Sequence, residues 1–87
     1  MASPTIHVTV RYFAAAAAAA ETESEAVTLR PGTTLAELVE SLAARGTRLA
    51  EVLGRCSYLY DGIAVRDDTT ALRSGATIDV LPPFAGG

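Results

Sequence analysis

The sequence predicts a small α+β domain, a mixed sheet of about five strands packed on one main helix. Three observations carry this reading. Short segments with apolar residues at every second position recur along the chain, as in half-buried strands. One segment, Leu35 to Leu42, instead repeats its apolar residues at helical spacing. The turn signals Arg30-Pro31-Gly32 and Asp61-Gly62 punctuate the chain between such segments. At 87 residues the chain makes one domain, of a size that buries roughly 60–65% of the surface its unfolded form exposes.

The first strand runs from Thr5 to Phe13. Ile6, Val8, Val10 and Tyr12 share one face, and His7, Thr9, Arg11 and Phe13 share the other. Seven alanines follow, Ala14 to Ala20. Alanine is the best helix former, yet so short a segment has no distinct apolar stripe, and it reads as a loop with one or two helical turns. Ala26 to Leu29 alternates again and makes the antiparallel partner of the first strand. Thr34 and Glu37 form a capping box, after which Leu35, Leu38, Val39 and Leu42 lie on one helical face. Arg45 suits the negative end of that helix, and Gly46 stops it. Leu49, Val52 and Leu53 suggest a further short helical turn before Gly54.

Ser57 to Tyr60 and Ile63 to Val65 flank Asp61-Gly62, whose residues suit the left-handed dihedrals of a two-residue hairpin turn. Thr69 to Gly75 reads as a connecting loop, and Thr77 to Leu81 as the last strand, with Ile78 and Val80 inward. The element order is β-β-α-β-β-β. A helix-bearing crossover separates the first and last strands, so they can pair centrally in parallel. With Ile6, Val8, Ile78 and Val80 on the helix side, Phe13 and Leu81 face away from it. Tyr58 and Tyr60 join them there if Leu59 points inward. Apolar groups gathered on that outer face would mark a partner surface, or merely cover one another.

Composition excludes several classes. With 49% hydrophobic and 20% charged residues, the chain is a folded globule rather than a disordered segment. The net charge is −3, and the seven positive charges, all arginines, are scattered from Arg11 to Arg73, so no nucleic-acid footprint forms. Cys56 is the only cysteine and His7 the only histidine, which rules out an internal disulfide and a Cys/His metal site. Cys56 reads as a packing residue. Asp67-Asp68 and Glu21 to Glu25 read as solvated loop charge rather than a metal site. The longest apolar stretch, Tyr12 to Ala20, is too short to span a bilayer and lacks a basic leader, so a cytoplasmic location and no membrane partner are expected.

The last seven residues, Leu81-Pro82-Pro83-Phe84-Ala85-Gly86-Gly87, carry the strongest functional signal. Two prolines cannot donate to a ladder, so the folded domain is expected to span residues 1–83 and a flexible diglycine tail residues 84–87. Terminal glycine adds no stability, but it lets a backbone enter a narrow channel with its carbonyl carbon unhindered. From Pro82 the arm could reach about 20 Å into a partner. A frayed terminus is the plain alternative.

The element order and this tail resemble the β-grasp, ubiquitin-like sulfur carriers of the MoaD/ThiS family, nearest to its molybdopterin synthase small-subunit branch. The likeness is carried by Val10-Arg11-Tyr12-Phe13-Ala14-Ala15 and by Asp79-Val80-Leu81-Pro82-Pro83-Phe84-Ala85-Gly86-Gly87. Alanines stand where the family's first loop usually carries charge, and Phe84 stands where a smaller aliphatic is commoner.

The resemblance implies a mechanism. A terminal carboxylate with a pKa of about 3.5 is ionised and a poor electrophile at neutral pH. In the family an adenylating, MoeB-like enzyme activates it with ATP, and a persulfide donor then leaves a thiocarboxylate on the terminal glycine, here Gly87, with Gly86 permitting close approach. In the molybdopterin branch the tail enters a MoaE-like large synthase subunit and gives its sulfur to a pterin precursor. The resemblance thus implies a non-catalytic sulfur-donor subunit with no bound cofactor or metal. Strand parity gives partner contacts at Phe13 and Leu81, with Tyr58 and Tyr60 beside them; the resemblance adds Ile63 and the tail residues Pro82, Pro83, Phe84 and Ala85. Other readings remain: a carrier for tRNA thiolation, cysteine or thiamine synthesis; a ubiquitin-like protein modifier; or an interaction domain with an accidental diglycine. The absence of lysine forbids lysine-linked chains on the protein itself.

Overall fold

A computed structural model describes residues 4–83. Eight elements follow in order: β1 (Ile6–Tyr12), α1 (Ala15–Ala20), β2 (Ser24–Leu29), α2 (Leu35–Ala43), α3 (Thr47–Leu53), β3 (Ser57–Tyr60), β4 (Ile63–Ala64) and β5 (Thr77–Leu81). The five strands make one sheet in the order β2-β1-β5-β3-β4. β1 and β5 are parallel at its centre, and the other neighbours are antiparallel. This is the β-grasp arrangement, with the helix-bearing crossover that the parallel pair requires.

The core lies between the sheet and the helices. Val8, Val10 and Tyr12 of β1 and Ile78 and Val80 of β5 are buried against Leu35, Leu38 and Leu42 of α2. α2 begins with the expected capping box: the Glu37 N–H donates to Thr34 Oγ1 at 3.2 Å, and Glu37 Oε1 accepts from the Thr34 N–H at 2.9 Å. Arg45 does not stay at the helix end. Its Nη1 donates to both Glu25 oxygens at 2.9 and 2.8 Å, and Tyr12 Oη donates to Glu25 Oε2 at 2.7 Å. That trio ties β1, β2 and the end of α2 together.

The alanine segment forms its expected one or two helical turns as α1, and Thr47–Leu53 forms the further short helix, so two short helices accompany the main one, α2. Ala16 is fully buried, and Ala17, Ala19 and Ala20 pack on the core. Tertiary burial therefore supplies what an isolated six-residue helix lacks. A correction concerns Tyr58 and Tyr60. Across β5 they pair with Val80 and Ile78, both buried, so they face the helices and Leu59 faces out. The condition that Leu59 point inward is not met; a tyrosine can bury its ring and satisfy its hydroxyl at the rim. Tyr58 Oη donates to the Leu53 carbonyl at 2.8 Å, and Tyr60 Oη accepts from the Arg73 N–H at 2.8 Å.

The hairpin turn is as read. Asp61 and Gly62 have φ of 49° and 85°, the left-handed pair that the two-residue turn demands. None of the helices among the described residues is long and apolar enough to cross a membrane.

Candidate functional site

β5 delivers Leu81 to the rim of the sheet, and Pro82 and Pro83 follow outside any strand. Beside it, β1 ends at Tyr12, and the Phe13 N–H donates to the Val80 carbonyl at 3.2 Å. The register runs to Tyr12 opposite Val80, and Phe13 and Leu81 each follow one residue on, next to the root of the tail. Phe13 is 40% exposed, an apolar ring left open where the chain runs toward its terminus. Ala14 then adopts φ 49° and ψ −124°, turning the chain away into α1.

The other expected contacts are placed differently. Ile63 is 73% exposed, but it lies on β4, three strand spacings of about 4.8 Å from β1, and shares the register row of Tyr60. It does not join the Phe13–Leu81 patch. Tyr58 and Tyr60 are on the opposite side of the sheet, as described above. Burial pushes the Tyr58 hydroxyl up to about 12, so it stays protonated as a donor. The expected site residues Phe84, Ala85, Gly86 and Gly87 lie outside the described residues.

Two residues that were not singled out as partner contacts complete the patch. Asp79, on the outer face of the central strand, is only 5% exposed. Arg11 of β1 sits directly opposite it and donates Nε–H to Oδ1 at 2.6 Å and an Nη2–H to Oδ2 at 2.9 Å. The Arg11 guanidinium carbon is also 5.8 Å from the centroid of the Phe13 ring. A carboxylate between Ile78 and Val80 in a central strand was the available signal, because a buried charge demands a partner. Leu59, across β5 from Asp79, covers its other flank.

Chemically, this face offers an exposed apolar ring beside a paired charge and no catalytic or metal-binding cluster among the described residues. No group of three His, Cys, Asp or Glu residues among those described could hold a metal. Asp67 is occupied by Thr69, whose N–H it accepts at 2.9 Å, and Cys56 donates its thiol to the Val52 carbonyl at 3.1 Å. Burial pushes the Cys56 thiol up, the reverse of a reactive thiolate.

Residues 10–87 match the ThiS family model. Among solved structures, a candidate molybdopterin converting factor, subunit 1, of Pyrococcus furiosus superposes with a TM-score of 0.82 at 23% identity, covering 91% of this chain and 99% of that one. SAMP1 of Haloferax volcanii gives 0.80 at 21% identity, covering 93% and 99%. The complex of subunits 1 and 2 of the Helicobacter pylori molybdopterin-converting factor gives 0.67 at 28% identity, covering 94% and 100%. No curated protein sequence matches the chain significantly. With the fold, the parallel central pair and a family match reaching to residue 87, the chain belongs to the ThiS family of ubiquitin-like sulfur carriers.

Proposed function

We propose that this chain is the sulfur-donating small subunit of a molybdopterin synthase. The observation that carries the reading is the position of Phe13 and Leu81 beside the root of the Pro82-to-Gly87 arm. A partner seated on that patch would receive the arm, and the Helicobacter pylori subunit 1 and 2 complex, 28% identical in its matched chain, supports such a pairing. In the reaction, the Gly87 carboxylate attacks ATP on an activating enzyme, giving an acyl adenylate and pyrophosphate. A persulfide displaces AMP, and a thiol then cleaves the acyl disulfide to leave a thiocarboxylate. The chain's own part is to present the patch and supply the arm; Gly86 keeps the backbone slim near the reacting carbonyl.

The test is reconstitution. The thiocarboxylated chain, the large synthase subunit of the same organism and the pterin precursor should yield molybdopterin, with one carrier consumed per sulfur transferred. No conversion, with a known small subunit active in parallel, contradicts the reading. The likeness to SAMP1, named a small archaeal modifier protein, favours a second reading in which Gly87 is joined to lysines of other proteins. Tagged chain recovered from cells in isopeptide-linked conjugates would support it.

A further inference from the structure

We propose that Arg11 and Asp79 are positioning residues whose ion pair holds the Phe13 ring in the orientation that the docking face presents. Asp79 stands in the middle of the outer face, on the central strand, and is almost wholly covered. A carboxylate there needs compensation, and Arg11 gives it two parallel N–H bonds, at 2.6 and 2.9 Å. Two bonds fix the plane of a guanidinium, which a lysine ammonium could not do. The guanidinium carbon lies 5.8 Å from the centroid of the Phe13 ring, two residues further along the chain. Phe13 is past the end of its strand and open to solvent, and the guanidinium gives its ring a wall.

The arrangement suits a surface that will be covered. When a partner excludes water, the cation–ring attraction strengthens, and the arginine enters the interface already paired. About half of the Arg11 side chain remains exposed, so the guanidinium keeps donors for an acceptor on the partner. The partner this face fits is therefore apolar opposite Phe13, with a backbone carbonyl or carboxylate opposite Arg11. What docks rests on the synthase reading above; the ordering of the ring does not.

The experiment is a mutant cycle read in two ways. The variants are Arg11→Met with Asp79→Leu, which removes the pair without stranding a charge, Phe13→Leu, and their combination. In the free protein, side-chain couplings and ring contacts by NMR should show Phe13 fixed in the wild type and averaging between rotamers once the pair is gone. On binding to the large synthase subunit, loss of the pair should weaken affinity about tenfold, and Phe13→Leu should then cost at least about threefold less than in the wild type. A ring that stays fixed without the pair, or strictly additive losses, overturns the proposal. Should the paired replacement fail to fold, Arg11→Lys keeps the charge but not the fork; an unaveraged Phe13 ring in that variant overturns the proposal equally. A wild-type chain that binds no large subunit defeats the synthase reading instead, and the NMR result alone then decides whether the pair orders the ring.

Discussion

On its helix side the sheet buries Val8, Val10, Ile78 and Val80 almost completely, whereas on its outer side the one residue as deeply covered, among those described, is the charged Asp79. The inner face stabilises by removing apolar area from water, which is non-directional and large. The outer face removes little area; its order comes from a two-pronged ion pair beside an exposed ring. One strand therefore serves both faces by alternation, with Val10 and Tyr12 in the core, Arg11 on the outer face and Phe13 exposed just past its end.

Substitutions should break this comparison unequally. Leu38→Ala, in the centre of α2's buried face, should lower unfolding free energy by about 2–5 kcal/mol, read as a shifted urea midpoint at unchanged slope. If Phe13→Ala lowers it as much, the two faces do not differ as described. Phe13→Asp should instead leave the circular dichroism spectrum intact and weaken binding to the large subunit by about thirtyfold or more, roughly 2 kcal/mol of a buried anchor plus the cost of burying a charge. Loss of the folded spectrum would place Phe13 in the core.

A smaller effect sharpens the role of the pair. Arg11→Ala leaves the covered Asp79 carboxylate without its donors and should lower the melting temperature, by less than the core substitution does because Arg11 itself is half exposed. Replacing both partners by apolar residues should be nearly neutral in the same melting experiment.

The smallest effect lies on the helix side. Arg45 first, with the Tyr12 hydroxyl adding to it, holds the Glu25 carboxyl below its ordinary 4.5 against the opposing effect of partial burial. A depressed folded-state pKa contributes stability that is present above the unfolded value and lost as pH falls through the folded one. Glu25→Gln should therefore flatten the acid limb of the stability curve below about pH 4.5, by less than about 1 kcal/mol because Arg45 is half exposed and solvent screens the pair. An unchanged acid limb would remove Glu25 from that account.

Much of the fold was legible because alternation fixes strand faces. Ile6 to Tyr12, the Thr34–Glu37 cap and the Asp61-Gly62 turn each have one reading in local chemistry, and the structure agrees. The alanine segment was legible only as one or two turns, because its stability comes from Ala16 docking on the core, which no local pattern displays. The tyrosines of β3 misled for a related reason. Parity gives two answers for an isolated strand, and only the register against β5 chooses between them. Phe13 and Leu81 were found from parity, while Arg11 and Asp79 needed the parallel pairing of β1 and β5 to meet across 68 positions of sequence.

The measurement closest to the central claim compares the full chain with one lacking Gly87. Both are incubated with ATP, an activating enzyme of this family and a persulfide donor, then weighed intact and melted. The account predicts that the full chain gains the mass difference between sulfur and oxygen, located on Gly87 in its C-terminal peptide. The shortened chain should melt at the same temperature and supply no sulfur to the reconstituted synthase. A full chain left unmodified under conditions that convert a known carrier, or a shortened chain with full synthase activity, would contradict it.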